Sequence, residues 1–209
     1  MPNRKSYMKP LLFALCAGVI CAMPSRANVI YSTLGSSFPV YDASHGELIL
    51  GSSAEPGYQG IAVPFTPSAS YKVAFMDFAL LHLSGTNAAL VGLCEDSSGS
   101  PGAIMGSWIV AGAPNAYGEV GLIASGNLTA GQQYWVTVLP DANDAILGWA
   151  NNSLGATGNM GVTFNGSTYT FENYTLPAFD VLGDEVPEPS TLTFSVVGLV
   201  LLARRLWRS

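Results

Sequence analysis

Tyr134-Trp135-Val136-Thr137-Val138-Leu139 is the stretch on which the fold class turns. A strand sends successive side chains to opposite faces, so Tyr134, Val136 and Val138 share one face and Trp135, Thr137 and Leu139 the other. Both faces are apolar enough to need cover, which puts this strand inside a layered β structure. Downstream, Val162-Thr163-Phe164 and Thr168-Tyr169-Thr170-Phe171 flank Asn165-Gly166. That is a hairpin signal, because both residues tolerate the positive φ of tight hairpin turns. Elsewhere, short runs of branched and aromatic residues alternate with Gly, Ser, Asn and Pro clusters at the spacing of about 8–12 residues typical of all-β domains. The runs predict strands over 29–34, 47–50, 59–65, 71–83, 88–94, 104–110, 118–123, 134–139, 145–150, 161–164, 168–171 and 179–182. The polar cluster from Glu95 to Gly102 predicts an exposed turn. No helical period is sustained and nothing repeats at a solenoid interval. The expectation is an all-β chain folded as one antiparallel β-sandwich.

Charge divides the 209 residues into three parts. Every basic residue except Lys72 lies near an end: Arg4, Lys5, Lys9 and Arg26, then Arg204, Arg205 and Arg208. All fourteen acids fall between Asp42 and Glu188, so Asn28 to Pro189 sets one cation against fourteen anions, a net of −13. A surface of that sign opposes nucleic acid and anionic lipid, both of which need a basic footprint. Cys16 and Cys21 sit in the leading apolar run, which leaves Cys94 alone in the middle of the chain. An internal disulfide is then ruled out, and Cys94, following an apolar run, reads as a small buried hydrophobe.

The leading segment, 1–27, has the parts of a secretory signal peptide: three cations, an apolar run from Leu11 to Met23, and Pro24-Ser25-Arg26-Ala27 before Asn28. Signal peptidase is expected to cut between Ala27 and Asn28. The predicted β domain spans 28–183. Residues 184–209 hold Val186-Pro187-Glu188-Pro189, an apolar stretch from Leu192 to Ala203, and the basic terminus with Arg204, Arg205 and Arg208. The prolines keep Glu188 extended and accessible to a protease. As a helix the apolar stretch is about 18 Å long, against a hydrocarbon core of about 30 Å. Leu206 and Trp207 extend it, and the arginines hold that end in the cytoplasm. The expectation is a single short C-terminal transmembrane helix that stops in the inner membrane during export.

In these residues the tail resembles the PEP-CTERM sorting signal, in which Pro-Glu-Pro precedes a short membrane helix and terminal arginines. The resemblance implies recognition by an exosortase, a membrane cysteine transpeptidase, with cutting near Pro187-Glu188-Pro189. It also implies a Gram-negative cell that makes exopolysaccharide. An ordinary C-terminal anchor behind a proline-rich linker is the alternative. The middle resembles the choice-of-anchor R type of exported domain at Ile61 to Pro67, Leu93 to Gly102, Leu128-Thr129-Ala130-Gly131 running into Tyr134-Trp135-Val136, Gly148-Trp149 and Phe179 to Gly183. Cys94 departs from that pattern. This second resemblance implies a jelly-roll-like sandwich without a settled biochemical activity.

Catalytic constellations are scarce. The chain has no Gly-x-Ser-x-Gly nucleophile elbow, and His45 and His82 are isolated, whereas a zinc site needs clustered ligands. Neither a metal centre nor a cofactor is expected. A glycosidase needs two carboxylates across a cleft, and Glu55, Glu95, Asp96, Glu119 and Glu172 are the candidates. Asp141-Ala142-Asn143-Asp144 offers oxygen ligands for calcium but lacks the glycine and distal glutamate of an EF-hand. The sequons at Asn127, Asn151, Asn165 and Asn173 read as turn residues in a bacterial setting. Sugar rings stack on aromatics, so Trp108, Trp149, Tyr58 and Tyr117 are candidate glycan contacts, with Tyr174 close to them in character. The competing reading packs Trp108, Trp135 and Trp149 into the core. The functional expectation is a non-enzymatic protein of the cell surface or extracellular matrix, structural or adhesive and associated with exopolysaccharide. A secreted carbohydrate-active enzyme and a calcium-stabilised adhesion module are the alternatives.

Overall fold

The computed structural model of the chain describes residues 28–35 and 40–187. The strands in chain order are β1 (Asn28–Ser32), β2 (Tyr41–Leu50), β3 (Gly60–Phe65), β4 (Tyr71–Ser84), β5 (Ala89–Asp96), β6 (Pro101–Val110), β7 (Ala113–Pro114), β8 (Gly118–Leu128), β9 (Tyr134–Pro140), β10 (Ile146–Asn152), β11 (Thr157–Thr163), β12 (Tyr169–Thr175) and β13 (Phe179–Glu185). No helix occurs among the described residues. Each of the twelve expected strands has a counterpart. The additions are β7, the first half of β2, and extensions of β6, β8, β11, β12 and β13.

Two antiparallel sheets face each other. The six-stranded sheet runs β12-β11-β3-β9-β5-β6, and the seven-stranded sheet is organised on β4. On one side of β4 lie β13, paired with residues 71–78, and β10, paired with residues 80–84; on the other lie β8 and the short parallel β7. Strand β2 closes the β10 side and β1 the β13 side. The burial of β4 shows how sequence drives this packing. Tyr71 and Val73 point inward, then Met76, Phe78 and Leu80 do, and the change of parity falls at a register shift between Val73 and Phe75. A bulge there keeps both apolar sets on the core face of one twisted strand.

The core between the sheets holds Trp149 against Phe78 and Phe179, with ring centroids 5.6 Å apart in each pair. Each such fully buried side chain contributes about 1.5–3 kcal/mol by leaving water. The indole Nε1 of Trp149 donates to Ala178 O at 2.9 Å, so its burial strands no donor. The expected faces of 134–139 are borne out: Tyr134, Val136 and Val138 enter the main core, and Trp135 belongs to the opposite side. There Tyr169 and Phe171 of β12 cover Trp135, Ala62 and Cys94. Cys94 is free and buried, as expected.

The hairpin at Asn165-Gly166 is present with a different turn. Thr163 pairs with Tyr169, which leaves a five-residue loop, 164–168. Gly166 takes a positive φ of 77°. Asn165 instead accepts the Ser167 and Thr168 N–H groups on its Oδ1, at 2.9 and 2.8 Å. The polar turn after β5 is also shorter than expected, since strand pairing reaches Asp96 and resumes at Pro101.

Both ends of the described fold leave from one pole. Asn28 pairs with Gly183, and Val186 N donates to Ser70 O at 2.8 Å, beside the 129–133 loop that bonds Pro67 and Ser70. The loops 51–59, 85–88 and 141–145 gather at the opposite pole, joined by Ser53 N to Asn143 O and Asp141 N to Ala88 O.

Candidate functional site

Strand β2 is an edge strand, and its parity sets the site. Ile49 and Leu147 are an inward-facing buried pair, so Glu47, opposite inward-facing Trp149, also points to the inner side of the sheet. Across the gap, β12 is the edge of the other sheet. Its Phe171 packs on Trp135 outside, with centroids 5.3 Å apart, so Thr170, Glu172 and Tyr174 face inward. The two edges do not close on each other. Between them lies a groove of about 350 Å³ lined by Glu47, Gln59, Val162, Phe164, Thr170, Glu172 and Tyr174.

The groove mixes apolar wall with acceptors. Phe164 is 64% exposed, and Val162 packs on the core from below. Tyr174 Oη donates to Glu172 Oε2 at 2.6 Å. That bond, then burial and the charges of Glu172 and Glu47, holds the Tyr174 proton above the usual phenol range. Burial raises the Glu47 carboxyl. Gln59, which also lines the groove, donates its Nε2 to Leu48 O at 2.9 Å. No Lys, Arg or His lies within ion-pair distance of Glu47 or Glu172 among the described residues.

Of the candidate glycan contacts, Trp149 is corrected: it is wholly buried in the core and has no face for a sugar. Trp108 is half-buried against the same core. Tyr117 lies over Gly46 and Gly148, and its carbonyl accepts from Tyr41 Oη at 2.8 Å. Tyr58 stands beside Gly166 in the 164–168 turn. The four are not brought together. The groove instead recruits Tyr174 and Phe164, and the second of these had no sequence signal beyond its place next to a turn.

Among the candidate acids only Glu172 lines the groove, and its companion Glu47 was not foreseen. Asp96 is a structural latch: its Oδ1 accepts Trp135 Nε1 at 2.7 Å and Gln133 Nε2 at 2.8 Å, and its Oδ2 accepts Gly99 N at 3.1 Å. These bonds, the one from Trp135 foremost, lower its pKa. Glu55 and Glu95 are exposed and outside the groove. Glu119 lies by Asp77 and Asp180, two carboxylates directly opposite each other on β4 and β13. Burial raises both, and the Oδ1 of Asp180 is buried without a hydrogen-bond partner.

In the 141–144 segment Asp144 bonds Thr86, and no group of three or more acid, His or Cys side chains suited to a metal forms among the described residues. His45 Nδ1 meets Asp42 Oδ2 at 2.8 Å, and His82 Nε2 donates to Gly85 O at 2.9 Å. Of the sequon residues, Asn165 is a turn residue, whereas Asn127, Asn151 and Asn173 lie within β8, β10 and β12.

Asn28, the residue after the expected signal cleavage, is exposed at the start of β1, and Val186 and Pro187 are exposed after β13. Ala27 with the rest of the leader, and Glu188, Pro189, Arg204, Arg205 and Arg208 with the expected membrane helix, lie outside the described residues. No protein-family model and no curated protein matches the chain.

Proposed function

We propose that this chain is a non-enzymatic protein of the bacterial surface or extracellular matrix, delivered by signal peptidase and exosortase, whose sandwich holds exopolysaccharide weakly in the β2/β12 groove. The observation that carries the reading is the order Val186-Pro187-Glu188-Pro189, apolar stretch, arginine cluster, starting immediately after the last strand. Two features support it. Val186 and Pro187 are exposed, so a processing enzyme can approach the motif without opening the sandwich. The start of β1 and the end of β13 share one pole, as suits a precursor held in the inner membrane by both ends. Strands that cross repeatedly between sheets, from β3 to β4 to β5 and from β8 to β9 to β10 to β11, support a jelly-roll-like description.

Intact mass of the surface form tests the route. The expected species begins at Asn28 and ends near Pro187-Glu188-Pro189. A surface species that retains Trp207, or unchanged delivery after removal of the last twenty or so residues, overturns it. Pull-down on the strain's own exopolysaccharide tests the binding, and no retention defeats that part.

One observation favours a second reading, a carbohydrate-active enzyme: Glu47 and Glu172 share a groove, and burial raises the Glu47 carboxyl. A raised acid paired with a second carboxylate is the arrangement of glycoside hydrolysis. Release of reducing ends from a polysaccharide, lost in Glu47→Gln, would promote this reading over the first.

A further inference from the structure

We propose that the groove selects a cationic amino sugar, a polysaccharide segment with free amines, over neutral or N-acetylated rings. The inference rests on the reading that this groove meets glycan. Two carboxylates, Glu47 and Glu172, line a space of about 350 Å³, and among the described residues only Tyr174 donates to either of them. Lys72 is the sole lysine or arginine from Asn28 to Pro187, and it lies on β4, outside the groove. Among the described residues, therefore, no cation is supplied to this pair. Ionised carboxylates only accept hydrogen bonds, and an ammonium group only donates them, so an amine on the ligand completes both.

Several other ligands fit less well. A hard metal ion takes about six to eight oxygens, and here Phe164 and Val162 occupy one wall. A phosphate or sulfate meets two negative charges. A linear polyamine satisfies the carboxylates but leaves the exposed ring of Phe164 without a flat partner. A sugar ring has an apolar C–H face for Phe164 and Tyr174, hydroxyls for Gln59 and Thr170, and, when it carries a free amine, the charge for Glu47 and Glu172. The volume lies at the lower end of small-ligand sites, about 300–1,000 Å³, room for a ring or two of a longer chain. The burial that raises Glu47 points the same way, because a bound cation relieves the cost of its charge.

The test is equilibrium dialysis of the full chain in non-ionic detergent at pH 6, against labelled β-1,4 tetramers of glucosamine, N-acetylglucosamine and glucose, with spermidine as competitor. The glucosamine tetramer should bind about tenfold or more tightly than the other two. Glu47→Gln and Glu172→Gln, near-isosteric changes at a half-exposed groove, should each weaken it about tenfold, and Phe164→Ala about fivefold. Near-UV circular dichroism of the three variants checks that the fold is kept. Equal binding of the N-acetylated tetramer overturns the amine selection while leaving polysaccharide association standing. Retention on native exopolysaccharide with no tetramer bound does the same. Spermidine competing as well as the glucosamine tetramer, with Phe164→Ala silent, overturns the sugar part of the inference.

Discussion

Asp96 offers the sharpest test of the fold, because one half-buried carboxylate at the end of β5 holds a buried tryptophan in place. Asp96→Ala removes the acceptor of three donors: Trp135 Nε1, Gln133 Nε2 and Gly99 N. Trp135 is fully buried, so its indole N–H is left without a partner. Orphaning one buried donor costs about 1–3 kcal/mol, and two partly exposed bonds add about 0.5–1 kcal/mol together. The expected loss is about 1.5–4 kcal/mol, or about 4–12 °C in Tm for a domain of this size. Asp96→Asn keeps an amide oxygen for Trp135 and Gln133 and should cost about 1 kcal/mol. Urea unfolding followed by tryptophan fluorescence gives these numbers. The pH dependence has a defined sign. A carboxyl whose folded pKa is depressed contributes stability above its ordinary value of 3.8 and loses it as pH falls through the lower folded value. The gap between wild type and the Asn variant should therefore close below pH 3.8. An Ala variant within about 0.5 kcal/mol of wild type at neutral pH would refute the latch. So would a gap that ignores pH. The same result bears on the hydrolase alternative, since activity lost in Asp96→Ala would report unfolding before it reported chemistry.

Asp77→Asn should stabilise the protein by about 0.5–1 kcal/mol at pH 7, because it removes a like charge set directly opposite Asp180, with Glu119 beside them on β8. The folded state raises both aspartates and so holds more protons than the unfolded chain above pH 3.8; wild-type stability falls as pH climbs through that window, and the gain should vanish below it. The Cys94 thiol, pushed up by burial with only partial relief from a Thr137 bond, should resist alkylation at pH 8 in the native state and react fully in urea; immediate native labelling would contradict its placement. Gly166→Ala, at a φ of 77° and facing the Tyr58 hydroxyl, should cost about 1–2 kcal/mol in thermal unfolding.

Strand positions were legible wherever burial follows a period of two, as in β9, or where apolar runs are bounded by turns, as in β3 and β5. Strand β2 was legible only in its second half, because Asp42-Ala43-Ser44-His45 has turn chemistry. The structure accommodates that segment as an irregularity opposite Ala150 and Asn151. Strand β7 is two residues ending in a proline and has no pattern to read. For the groove, the parity of Glu47 with Ile49 was readable, whereas Glu172 and Tyr174 lie beyond the expected strand 168–171, in the extension of β12. What no local pattern conveys is that β2 and β12, separated by more than a hundred residues, end as facing edges that leave a gap. Trp149 misled for a related reason: tryptophan beside Gly148 and Asn151 looks like a loop platform, and only the β10–β4 pairing turns it inward.

The adjacency of Asn28 and Gly183 has a mechanical consequence. Tension applied between Asn28 and Pro187 would pull antiparallel neighbours apart from the same end, breaking the β1–β13 bonds one after another like a zip, at low force. Tension between Pro187 and a polymer seated in the groove would run along β13, loading its ladder to β4 from residue 71 to residue 78 in shear, with many bonds strained at once. A tether through the tail alone would thus withstand drag that a grip on both ends would not.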